Sequence, residues 1–182
     1  MKLLERGAIG LASLALSIGA IAALSGFFAG RDTAQVSGSA NAIGPGLSFP
    51  DLGHARLLPG QPGPHYDSRP PTSGAHVPEP LTRDGVRLSD NQLLQALELG
   101  DVVIEYGGGT PPPGLQPLAR ALAPPFSPAL AAAGQAVVLA HRPGTDGVLG
   151  LAWAHAVSVG APGDPRLRAF IQFWLGRGAP GR

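Results

Sequence analysis

The stretch Arg69-Pro70-Pro71-Thr72-Ser73-Gly74-Ala75-His76 constrains this chain more than any other. Two adjacent prolines fix φ, remove two N–H donors and hold Arg69 in extended geometry. Thr72 and Ser73 then supply hydroxyls, and Gly74 is free to take positive φ. Such a segment cannot be a helix or a central strand, so it has to run as a stiff, structured loop across other elements. With His65 and Tyr66 just ahead of it, the loop carries two histidines on a rigid arm. A site belongs there first; the competing role is a plug for one end of a small core.

The rest of the 182 residues must supply what that loop lies on. Length allows one compact domain of about 100–150 residues. A net charge of +1 with 14% charged residues leaves no basic surface for nucleic acid and no acidic tail. The 27 glycines and 20 prolines predict much ordered loop. Cysteine is absent, which excludes disulfides, thiolate metal sites, a cysteine nucleophile and an N-terminal lipid-modified cysteine.

From Gly7 to Gly30 there is no charged residue. As a helix, this run would measure about 36 Å against a hydrocarbon core of about 30 Å. Lys2 and Arg6 precede it, so the positive-inside bias predicts a single-pass helix in the cytoplasmic membrane with the rest of the chain outside the cytoplasm. The alternative is a secreted chain after signal cleavage at Ala20-Ile21-Ala22. Gly19, Ala23, Gly26 and Gly30 would line one face of small residues, which could admit another membrane protein's helix. The domain organisation read from this is an N-terminus and anchor over 1–30, a flexible linker over 31–50 with a reach of about 25 Å, and an extracytoplasmic domain over 51–182.

Ser89-Asp90-Asn91-Gln92 has the form of a capping box, Leu93, Leu94 and Leu97 continue it as an apolar stripe, and Gly100 caps its end. Val102-Val103-Ile104-Glu105-Tyr106 reads as a short, central, buried strand. Leu115, Leu118, Ala119 and Leu122 give an amphipathic helix stopped by Pro124-Pro125, and Ser127-Pro128 opens another turn. Residues 135–140 and 148–157 read as two strands of one hairpin around Arg142–Gly147, with Trp153 inside the second. That hairpin would put His141 about 23 Å from His155, too far to share an ion. Asp164 and Pro165 start a last helix with Leu167, Phe170, Ile171 and Trp174 on one side. The fold class is α+β: a small, mainly antiparallel sheet of about three core strands, helices packed largely on one side, preceded by the transmembrane helix.

Tyr66-x-Ser68-x-Pro70-Pro71-Thr72-Ser73-Gly74-x-His76, followed by Leu97-Glu98-x-Gly100-x-Val102-Val103-Ile104-x-Tyr106, resembles the bacterial domain-of-unknown-function family 3105, from about Asp51 to the C-terminus and including Ala152-Trp153. The resemblance implies a membrane-anchored or secreted protein. It also implies histidines in a His-x-x-Leu-Glu-His-Gly segment, where this chain has Gln95 and Leu99, and an earlier histidine position occupied by Arg56. Histidines converging from a loop and a helix end would suit a transition metal such as copper or zinc. What this chain retains for such a site is His76 and Glu98, with His65 or His54.

The expected function is therefore a membrane-tethered, extracytoplasmic, non-catalytic interaction or accessory module with a degenerate histidine site and no cofactor. The alternative is an extracytoplasmic transition-metal-binding protein. A Ser/His hydrolase would use Ser73 or Thr72 with His76 and Glu98, but no nucleophile elbow surrounds either hydroxyl. Gly107-Gly108-Gly109 is followed by Thr110-Pro111-Pro112-Pro113, which prevents a phosphate-binding helix from opening there.

Overall fold

A computed structural model describes residues 44–181. The expected anchor and most of the expected linker lie outside the described residues, among which no helix is long and apolar enough to cross a membrane. In chain order the elements are β1 (Leu47–Ser48), α1 (Asp90–Leu99), β2 (Val102–Tyr106), α2 (Leu115–Leu122), α3 (Pro128–Ala132), β3 (Val137–His141), β4 (Val148–Ala152), β5 (His155–Val159) and α4 (Pro165–Trp174). They build one five-stranded sheet in the order β1-β5-β4-β2-β3.

Strand β2 is buried at every residue, which requires cover on both faces of the sheet. On one face Val102, Ile104 and Tyr106 meet α2 and α4, the latter through Leu167, Phe170 and Ile171. Burying side chains of this size is worth about 1.5–3 kcal/mol each. On the other face Val103, Val138 and Leu151 meet Leu93, Leu94 and Leu97 of α1 and Ala131 of α3. Leu81 and Leu88 of the long loop complete that second layer.

The α+β class is as expected, but three details differ. The sheet has five strands rather than three, and it is mixed: β2 pairs in parallel with β3 while the other pairs are antiparallel. Helices lie on both faces rather than largely on one, because β2 exposes no side chain on either. Residues 135–140 and 148–157 do not form a hairpin; β2 lies between β3 and β4, so Arg142–Gly147 crosses over it. The expected long second strand is instead two strands, turned tightly at Trp153 and Ala154, with Ala152 opposite His155. Ala154 takes φ 57°, unusual for a residue with a Cβ, and no Gly, Asn or Pro marks the turn in the sequence.

Both sheet edges are managed. Beside β3, Gly85 N donates to Leu139 O at 2.9 Å, His141 N to Val86 O at 3.1 Å and Leu139 N to Asp84 Oδ1 at 2.6 Å. Burial pushes the Asp84 carboxyl up from its ordinary range, against the pull of the two backbone N–H groups that bond it. The opposite edge is β1, only two residues long, pairing Leu47 with Ala156 and Ser48 with His155. Residues 44–50, read as linker from sequence, thus belong to the folded domain. Trp174 Nε1 donates to Pro45 O at 2.9 Å, and a Cβ on Gly46 would crowd Phe170.

His155 stacks on Trp174 with ring centroids 3.7 Å apart, and its Nδ1 lies 2.7 Å from Trp153 O. Burial holds its imidazole below the ordinary histidine value, partly opposed by that carbonyl. The unfolded chain therefore takes up this proton at higher pH than the folded one. The stability it supports is full above about pH 6.5 and is lost as pH falls from there toward the folded value. Denaturant unfolding between pH 7 and 5 should show that loss, and His155→Phe, which keeps the stack, should flatten it.

Candidate functional site

The capping-box helix places the first acidic group of the site. Ser89 Oγ accepts from Gln92 N at 3.0 Å and Gln92 Oε1 accepts from Ser89 N at 3.1 Å. At the other end Gly100 takes φ 112° and turns the chain directly into β2. The C-terminal tail closes over this end: Ala179 N donates to Glu98 O and Gly176 N to Gly100 O, at 2.9 and 2.8 Å. Gly178 fits because a Cβ there would collide with the Glu98 carbonyl oxygen. Glu98, 2% exposed, is thereby fixed at the edge of the second core layer.

The proline arm brings the histidine to it. Tyr66 OH donates to Ala75 O at 2.9 Å, and the Tyr66 ring lies where a Cβ on Gly74 would stand, which with φ 125° admits only glycine. Ser73 Oγ donates to Pro50 O at 3.0 Å and accepts from Leu52 N at 3.1 Å. Thr72 O accepts from Ala154 N at 2.9 Å, so the arm also clamps the strained Trp153–Ala154 turn. The chain around Arg56 then pairs in parallel with that around His76, through Leu57 N to His76 O at 2.9 Å and His76 N to Ala55 O at 3.1 Å.

Four polar side chains converge where these segments meet. Arg56 donates through one Nη to Gln95 Oε1 at 2.8 Å and through the other to Glu98 Oε1 at 2.7 Å. His76, fully buried, sets Nε2 3.1 Å from Glu98 Oε2, at ion-pair distance but without hydrogen-bond alignment. Its Nδ1 lies 3.0 Å from Gly74 O, a carbonyl that can only accept, so Nδ1 carries a hydrogen. The contact between Nε2 and Oε2 is then attractive only with a proton on one of the two atoms. The guanidinium occupies the place where a cation would be held by Glu98 and Gln95, and its fork matches those two acceptors.

Of the four residues expected to form a metal site, the structure brings together His76 and Glu98. His54 packs its ring edge-on to Trp153 at 6.3 Å. His65 is exposed and lines a different cavity, with Asp90 and Arg142. Among the described residues no group of three His, Cys, Asp or Glu side chains is arranged to hold a metal ion. Leu99 faces a mainly apolar cavity of about 180 Å³ between α1 and α3, which Gln95 also borders. The hydroxyls a hydrolase would need are engaged elsewhere: Ser73 as above, and Thr72 Oγ1 with Ser68 Oγ at 3.2 Å. His141 and His155 sit apart, on Tyr106 and Trp174.

A second network was not anticipated. Glu105, 1% exposed on β2, accepts from Arg142 Nε at 2.8 Å, and Arg142 Nη2 donates to Asp90 Oδ1 at 2.8 Å. Burial pushes the Glu105 carboxyl up, against the opposing effect of Arg142. A lone carboxylate in Val-Val-Ile-Glu-Tyr was the available signal, since a buried charge demands a partner.

An α+β domain whose proline arm carries a buried histidine onto a helix-end carboxylate is the class that fold and site define. The chain belongs to the DUF3105 family of proteins of unknown function, which it matches over residues 63–181. The match begins after His54 and Arg56, later than the Asp51 start expected from the sequence. No curated protein and no solved structure matches this chain.

Arg56 is nearly half exposed while its acceptors are buried, so solvent can partly replace it. Arg56→Ala should lower unfolding stability by about 1–2 kcal/mol, and Arg56→Lys should restore less than half of that, because an ammonium cannot span Gln95 and Glu98 as a fork. Urea denaturation measures both. Gly178→Ala, which forces the tail off the Glu98 carbonyl, should cost about 1–3 kcal/mol in the same assay.

Proposed function

We propose that this protein is a membrane-tethered, extracytoplasmic module that recognises a partner without turning over a substrate, its histidine centre closed by an internal guanidinium instead of a metal ion. The observation that carries this reading is Arg56, seated on Glu98 and Gln95 with His76 beneath the same carboxylate. A fixed positive charge at that place repels a divalent cation. The uncharged run from Gly7 to Gly30 supports the tether.

The second reading is an extracytoplasmic copper- or zinc-binding protein, favoured by two buried donors, the His76 imidazole and the Glu98 carboxylate, 3.1 Å apart. Calorimetric titration and elemental analysis of the full chain with Cu²⁺ and Zn²⁺ separate the two. The arginine-closed reading expects weak binding, strengthened at least about tenfold in Arg56→Ala once the Coulomb repulsion is removed. Tight binding of one equivalent by the natural chain, abolished in His76→Ala, would establish the metal reading instead. For the tether, mass spectrometry should recover residues 1–22 on the mature protein; chains beginning only at Ala23 would exclude it.

A further inference from the structure

Two cavities adjoin at the Arg69-Pro70 end of the proline arm. One, of about 320 Å³, is bordered by His65, Tyr66, Ser68 and Asp90. The other, of about 340 Å³, is bordered by Thr145, Asp146, Leu149 and Ser158. They share one wall, made by Arg69, Pro70 and Arg142. We infer that this double cleft binds the carboxylate end of a short peptide between the Arg69 and Arg142 side chains.

Three features favour such a ligand. Arg142 is held in place from behind by Glu105 and Asp90 through Nε and Nη2, and its side chain is still 28% exposed, with Nη1 left for a ligand. A guanidinium fixed in advance loses little freedom on binding. Arg69 sits on the stiff arm, is exposed, and has no carboxylate at ion-pair distance among the described residues. The whole guanidinium of Arg69, with Nη1 of Arg142 beside it, is left to donate to a carboxylate.

The surrounding charge narrows the class. Asp90 borders one cavity, Asp146 the other, and Glu105 lies behind Arg142. Three carboxylates around two guanidinia disfavour a multiply charged anion such as phosphate. They suit a ligand that brings one carboxylate together with N–H donors for Asp90 and Asp146. A peptide terminus has that pattern, and Pro64, Pro71 and Pro143 give its side chains apolar walls. The cleft has no lining residue in common with the Arg56 cluster, so this inference stands or falls apart from the proposed function.

The probe is tri-alanine, titrated calorimetrically into the full chain, beside tri-alanine amide and inorganic phosphate. Saturable binding of tri-alanine is expected, weakened about tenfold or more by amidation or by Arg69→Gln, as loss of a charge-assisted pair requires. Arg69→Lys should recover only part, and phosphate should not displace the peptide. Because Arg69 is exposed and unpaired among the described residues, its variants should keep the circular dichroism of the parent. Absence of saturable tri-alanine binding, equal binding of the amide, or an unchanged affinity in Arg69→Gln would overturn the inference. Displacement by phosphate at equal concentration would reduce the cleft to a general anion site and overturn it too.

Discussion

Burial of β2 on both faces is the constraint from which the rest of the structure follows. A five-residue strand with no exposed side chain needs two covering layers, and a domain of this size has few helices to supply them. The long helix α4 and the amphipathic α2 close one face. Only α1 and the short α3 serve the other, so part of that cover is chain without regular structure, including Leu81 and Leu88. An irregular segment can be buried only if its backbone groups find partners. The hydroxyl of Ser73, the phenol of Tyr66 and the backbone pair of Thr72 O with Ala154 N meet that need. The proline arm is rigid because a loop that covers a core cannot be mobile.

That solution brings charge into low-dielectric surroundings at two places. Glu105 points from β2 into the loop-covered layer, and Glu98 stands at the end of the helix beneath it. Each carboxylate meets an arginine delivered by a segment outside its own element, Arg142 from the end of β3 and Arg56 from the loop. Neither pair is evidence of large stabilisation, since removing two charges from water costs several kcal/mol per ion before their attraction offsets it. Their effect is to fix position. Each guanidinium is directional and partly exposed, so it ties a loop to a buried acceptor at one register and leaves its outer face to solvent.

The sequence was most legible where a local rule had a local cause. The Ser89 capping box, the Gly100 cap into β2, the Asp164-Pro165 start and the stripe of Leu167, Phe170, Ile171 and Trp174 all stand where propensity and periodicity put them. Pairing was less legible. Residues 142–147 have hairpin composition, yet β2 enters between β3 and β4, a non-local choice that no turn residue records. The Trp153–Ala154 turn was hidden because its conformation is imposed from outside, by Thr72 and Phe49, on residues without turn chemistry. In the candidate site, His76, Glu98, Gln95 and Arg56 were each distinguishable as departures from or matches to a pattern. What no spacing could supply was that Arg56 would reach both Gln95 and Glu98, while His54 and His65 would turn to other neighbours.

A guanidinium and a metal ion make different kinds of centre even on the same acceptors. A metal's ligands must shed protons to bind it, so its hold on the fold depends on pH and on supply. Arginine keeps its charge at any pH a folded domain meets, and it arrives with the chain. A loop fastened to Glu98 by Arg56 is therefore fastened from the moment of folding, independent of ions in the surroundings. Imidazole adds a contact that the arginine does not make: with Nδ1 committed to Gly74 O, His76 sets Nε2 3.1 Å from Glu98 Oε2. Arg56 approaches the carboxylate at Oε1 from its half-exposed side, and His76 approaches Oε2 from the core. The outer contact ties the chain around Arg56 to the end of α1, and the inner one fills the space behind the carboxylate with a fully buried ring.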